Sequence, residues 1–148
     1  MVHFRGKDYP DAKLPCNRER MLALAEALES GEYPQAAGAL RGHSETGKTG
    51  NCCLGVACDL AAKAGVGHWG NPDTLLFYTP SQPHGEGALM PPEVMEFYGL
   101  GNNNDRQLRL SDSASTDGFD FITGTVLNDD GASFAAIAKI IREVYLTD

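Results

Sequence analysis

The sequence has no long apolar run, no surplus of positive charge and no C-x-x-C motif, and each absence removes a class of function. No stretch approaches the ~20 apolar residues that a helix needs to cross a bilayer. Met1–Pro10 holds no apolar core of the kind a secretory leader carries. Lys and Arg number 12 against 20 Asp and Glu, a net charge of −8. Such a surface repels phosphate backbones and anionic headgroups, so neither nucleic acid nor membrane is an expected partner. The cysteines are Cys16, Cys52, Cys53 and Cys58, and no two of them are spaced as C-x-x-C. Adjacent cysteines, or cysteines five or six apart on one helix, do not readily bridge, which argues against a disulfide framework. Reduced thiols without an export signal make the cytoplasm the expected location.

What is present is ordinary globular chemistry. Hydrophobic residues make up 42% and charged residues 22% of 148 positions, enough for one domain with a real core. A single domain over 1–148 is expected, with 1–16 as an extended N-terminal segment. Asn17 caps a first helix from Arg18 to Ser30, buried through Met21, Leu24, Ala25 and Leu28. A second, unusually apolar helix spans 52–64, with Asn51 as its cap and Gly65 just beyond; its wet stripe is the Asp59/Lys63 pair. Ala39–Arg41 reads as an edge strand, Leu75–Thr79 as the best strand, and Ser81–Leu89 as a loop. Pro91–Tyr98 is a short helix opened by proline. Leu108–Leu110 and Phe119–Ile122 read as short strands and Asn128–Gly131 as a turn. Ser133 caps a last helix to Leu146, apolar at Phe134, Ile137, Ile140, Ile141 and Val144. The class is α+β: a small single domain with three to four helices around a short antiparallel sheet, and helix 52–64 at the centre.

Several runs together carry a resemblance: Gly31-Glu32-Tyr33-x-Gln35, Leu40-Arg41, Cys52-Cys53-Leu54-Gly55-Val56-x-Cys58-Asp59-Leu60-Ala61, Met90-Pro91-Pro92-x-Val94, and Leu127-Asn128-Asp129-x-Gly131-x-Ser133-Phe134-x-x-Ile137-Ala138. With these runs the chain resembles a group of small uncharacterised proteins encoded by bacteriophages and actinobacterial genomes. The resemblance implies a phage or mobile-element setting, in which proteins often bind a host factor or a host signalling molecule. It implies no activity.

Two motifs invite chemistry. Gly42-His43-Ser44-Glu45-Thr46-Gly47-Lys48-Thr49 matches the phosphate-binding pattern G-x-x-x-x-G-K-[ST] by letters. That motif needs a buried strand before it and a helix starting at the Gly-Lys pair. Here the preceding residues make a poor core strand and the helix starts too late, so an exposed polar loop is expected. Cys52 and Cys53, at a helix N-terminus, sit where the macrodipole favours a thiolate. The spacing Cys53-x-Gly55-Val56, with Ala64-Gly65-Val66, loosely resembles papain-like peptidoglycan amidases, which implies Cys53 (or Cys52) as nucleophile and His84 as base. The chain departs from them in having Leu54 where they carry Ser, and in placing His84 in a Pro- and Gly-rich loop.

The remaining signals are weaker. Cys53 and Cys58 with His43, His68 or His84 do not have zinc-ligand spacing, since Cys53 and Cys58 lie about 140° apart around a helix. Asn128–Ile141 has the cadence of half a helix-turn-helix, but no basic recognition helix follows it. The Gly-rich loops 42–50, 65–71 and 81–89 adjoin the ends of the cysteine helix or the Leu75–Thr79 strand, where binding residues gather. His43, His68 and Trp69 are the candidate ligand-binding residues. No cofactor and no metal is assigned. The expected role is a non-enzymatic accessory protein that binds a host protein or a small, nucleotide-like signalling molecule; the alternative is a cysteine hydrolase or transferase.

Overall fold

The computed structural model describes residues 1–43, 48–70, 75–101, 104–112 and 121–147. The elements in chain order are β1 (Val2–Phe4), β2 (Lys7–Tyr9), α1 (Arg18–Glu29), β3 (Arg41–His43), β4 (Thr49–Asn51), α2 (Cys53–Lys63), β5 (His68–Trp69), β6 (Phe77–Thr79), β7 (Gln82–Glu86), α3 (Pro92–Phe97), α4 (Gly124–Asp129) and α5 (Phe134–Ile141). The last helix continues into a π-helical turn, Arg142–Leu146. The class is α+β, as expected. The strands are divided among three small antiparallel sheets: β1-β2, β3-β4 and β5-β6-β7. Among the described residues no helix is long and apolar enough to cross a membrane.

α2 is the packing centre. Cys53, Leu54, Gly55, Val56, Ala57, Cys58 and Ala61 are all buried, and α1, α3, α4, β4 and β5 pack around them. α1 forms as its spacing dictates: Asn17 accepts from the Arg20 amide, and Met21, Leu24, Ala25 and Leu28 are the buried stripe. That stripe packs on α5, whose Ile137, Ala138 and Ile141 are buried, and Ser133 caps α5 through the Ala136 amide.

Four local expectations are corrected. Residues 1–16 are not simply extended: Val2 pairs with Tyr9 across a hairpin whose Arg5-Gly6 turn has positive φ at both positions, the twist-matched two-residue turn. Ser81–Leu89 is not a loop, because Gln82–Glu86 pairs with β6. β7 lies at the sheet edge, where Pro83 needs no ladder partner. Leu108–Leu110 does not form a strand: Leu108 sits at φ 67°, a left-handed conformation that breaks an extended run, and only the bridge Arg109↔Thr123 remains. Phe119 and Asp120, at the start of the second expected strand, lie outside the described residues. Finally, Asn128 belongs to a helix, α4, which Thr123 caps through the Val126 amide, and the turn proper begins after it.

The start of α2 also differs, for an instructive reason. Asn51 ends β4 and its backbone is committed elsewhere: its N–H donates to Pro34 O at 2.9 Å and its carbonyl accepts from the Ala36 amide at 2.9 Å. Its side chain accepts from Arg41 Nε at 3.1 Å. Cys52 therefore becomes the capping residue but offers no side-chain cap. The acceptor comes from far along the chain: Asn128 Oδ1 takes the Cys53 amide at 3.3 Å. Gln35 completes the junction, donating to Asn128 Oδ1 at 3.0 Å and Ala132 O at 2.7 Å while accepting the Phe134 amide at 3.2 Å.

Candidate functional site

Three regions contain the residues that carry chemistry: the N-terminus of α2, a polar cluster on its outer stripe, and the face of the β5-β6-β7 sheet. At the first, Cys52 and Cys53 are almost fully buried, at 2% and 0% exposure. Burial pushes the Cys53 thiol well above its ordinary pKa, and the neighbouring Cys52 adds to the rise. Burial raises Cys52 as well, even though the amides of Gly55 and Leu54 pull it downward. The helix N-terminus acts in the direction read from the sequence, but desolvation outweighs it. Cys58 is likewise buried and raised. His84 is exposed on β7, and no hydrogen bond among the described residues joins it to either thiol. Native protein treated with iodoacetamide at neutral pH should therefore leave Cys52, Cys53 and Cys58 unmodified, while all four cysteines label in denaturant. Peptide mass spectrometry reads this directly, and rapid native labelling of Cys53 would contradict the burial argument.

The second region is a clasp around Asp59. Its Oδ1 accepts from Trp69 Nε1 at 3.0 Å and from Arg41 Nη2 at 3.3 Å. Its Oδ2 accepts from the Tyr33 hydroxyl at 2.5 Å and faces Lys63 Nζ at 3.4 Å. The Arg41 guanidinium lies 3.7 Å from the Trp69 ring centroid, a cation–π stack. Asp59 and Lys63 thus form the expected i,i+4 pair, yet the aspartate is only 16% exposed and works as a hub. Burial pushes its pKa up, but the hydrogen bonds of Tyr33 and Trp69 and the charge of Lys63 outweigh this and hold it below the ordinary value. A lowered folded pKa means that the clasp contributes stability above the ordinary aspartate pKa. That contribution is lost as pH falls through the depressed value. Asp59→Asn should cost about 2 kcal/mol at neutral pH and should lessen the steepness of acid unfolding, as read by circular dichroism against pH. An acid limb identical to that of the parent chain would remove Asp59 from this role.

The third region depends on strand alternation. His68 pairs with Tyr78 and Trp69 with Phe77 across β5 and β6. Neighbours in a strand point to opposite faces, so the His68-Trp69 pair divides. Trp69 turns inward, edge-on to Phe77 at 5.0 Å and onto the Asp59 clasp. His68 turns outward and stacks on Tyr78, with centroids 5.6 Å apart and planes at 16°. These two rings line an open cleft of about 480 Å³ together with Gly65, Gly67, Thr79, Pro80 and Pro83. Gly67 has φ 73°, and a Cβ there would fall 2.5 Å from the Phe77 ring, so the bend into β5 requires glycine. A hollow of similar size lies between α1 and the C-terminal turn, but its arginines are engaged: Arg142 grips Glu29 through two nitrogens and Arg18 donates to the carbonyls of Tyr145 and Leu146.

The remaining candidates sit apart from the cleft lining. His43 is exposed on β3 opposite Thr49. The Walker-like run is divided: Gly42 pairs with Gly50 and His43 with Thr49, so its described flanks form an antiparallel hairpin, and Ser44–Gly47 lie outside the described residues. The next helix begins at Cys53, beyond the Gly-Lys pair. Among the described residues no three His, Cys, Asp or Glu side chains are grouped to hold a metal ion. Sequence reading missed Tyr78 and Pro83 as partners of His68; the signal was the period-two alternation of two short aromatic strands, obscured because Gln82–Glu86 looked like a loop.

No curated protein and no solved structure matches the chain. One family model does, over residues 19–145, and so covers the chain from α1 to the C-terminal turn. The chain belongs to the family described as Domain of unknown function (DUF8296).

Proposed function

We propose that this chain is a non-enzymatic, phage-type accessory protein of the cytoplasm that binds a host protein or a small, nucleotide-like signalling molecule at the His68–Tyr78 cleft. The observation that carries this reading is the stacked, outward-facing ring pair lining an open cleft on the β5-β6-β7 sheet. Small-molecule sites are concave, largely apolar and preformed, with a few polar groups that orient the ligand. The alternative, a hydrolase built on Cys53 or Cys52 with His84, finds less support, because Cys52, Cys53 and Cys58 are buried and burial raises the pKa of each thiol. The phage setting rests on the resemblance of the motif runs. The negative charge makes nucleic acid and membrane poor partners.

The test has two arms. Thermal shift against nucleotides and cyclic nucleotides should raise Tm, by about 2.7 kcal/mol of stabilisation at a hundredfold excess over Kd. Affinity capture from host lysate should retain a partner that is lost with His68→Ala. Silence in both arms would leave the reading without support.

A further inference from the structure

We infer that the His68–Tyr78 cleft recognises an uncharged planar ring, the base or aromatic part of a small ligand, and holds no phosphate; this rests on the reading of the cleft as the binding site. The two rings lie nearly parallel, at 16° with centroids 5.6 Å apart, and both residues line the cleft, so an outer face of the stacked pair is offered to it. His68 is exposed, and its ring makes no hydrogen bond to another described residue, so its nitrogens can meet the polar edge of a ligand ring. Pro80 and Pro83 add apolar rim, and Gly65 leaves open space where a side chain would project. No Lys or Arg lines the cleft among the described residues. The cations of the neighbouring clasp, Arg41 and Lys63, are already held by Asp59, Trp69 and Tyr33. A phosphate entering the cleft would lose water, find no Lys or Arg among the described lining residues and face a chain of net charge −8. A planar ring would gain stacking on the outer face of the ring pair at no such cost.

The experiment is amide chemical-shift mapping of the full chain with adenosine, guanosine, cytidine and uridine, each beside its monophosphate, at low and at physiological salt. At least one nucleoside should shift amides of residues 65–68 and 78–83. Its monophosphate should bind within about twofold of it and show little salt dependence. His68→Ala, a change at an exposed position whose fold the same spectra verify, and Tyr78→Ala should each weaken the nucleoside about tenfold. A monophosphate that binds about tenfold tighter than its nucleoside would overturn the inference and leave the binding role intact. If no nucleoside perturbs the cleft but capture of a lysate partner still depends on His68, the ring inference fails and the binding role stands. If neither occurs, both fail.

Discussion

Gly55→Ala should cost about 4 kcal/mol or more, close to the whole stability of many domains of this size. Alanine is the better helix former by about 1 kcal/mol, so propensity alone predicts the opposite sign. Tertiary packing decides. A Cβ at Gly55 would stand 1.8 Å from the Leu40 carbonyl oxygen, 2.7 Å from its carbon and 3.0 Å from the Asn51 Cβ. The Leu40 carbonyl cannot easily move aside, because it accepts the Cys52 amide at 3.1 Å while the Leu40 amide donates to Gly87 O at 2.8 Å. The obstruction is backbone tied at both ends, unlike a flexible side chain that could swing away. The measurement is urea unfolding followed by circular dichroism, with Gly42→Ala as the control. Nothing lies within 4 Å of a Cβ at Gly42, so that variant should stay within about 0.5 kcal/mol of the parent. A Gly55→Ala protein as stable as the control would show that α2 can slide away from Leu40, and the packing argument would fail.

Asn128→Ala should cost about 3 kcal/mol. The side chain is buried at 2% exposure and holds three groups from two distant parts of the chain, residues 35–36 and Cys53. It accepts the Cys53 amide and the Gln35 side-chain amide, and it donates to Ala36 O at 2.8 Å. Truncation strands the Cys53 N–H and the Ala36 carbonyl, both in the interior, and leaves Gln35 with Ala132 O and the Phe134 amide. Unmade hydrogen bonds cost more than made ones contribute, because the abandoned groups have lost their water. Gln35→Ala and the double variant complete a cycle. A coupling of about 1 kcal/mol or more is expected, since the two amides share one network. Independent, additive losses would mean that the junction is two separate contacts.

These two predictions explain the motif runs. Leu40 seats Gly55, Arg41 and Tyr33 hold Asp59, and Gln35 meets Asn128 and the start of α5. The residues that looked like a signature are largely one another's partners. Much of the signature therefore records a folding requirement, centred on α2, and the cleft residues Tyr78 and Pro83 fall outside it.

The local rules were enough for much of the helical frame. Asn17, Ser133 and the Pro91-Pro92 step mark helix starts by their own chemistry, and the spacing of Met21, Leu24, Ala25 and Leu28 marks the buried face of α1. These signals act over three or four residues, so they can be read directly from the chain. The cap of α2 could not be, because its acceptor is 75 residues away and the nearer Asn51 is occupied by β4. Nor could the state of Cys52 and Cys53: a helix start favours the thiolate, and only the depth of burial reverses it. The same holds for His68 and Trp69. Adjacent in sequence, they are sent to opposite faces by pairing with Tyr78 and Phe77, one into the Asp59 clasp and one to the cleft. By itself the sequence determined where α1, α3 and α5 begin and which faces of α1 and α5 are apolar. Which polar groups meet, which thiols are buried and which ring faces outward were decided by tertiary structure, because desolvation and strand pairing depend on residues far apart in the chain.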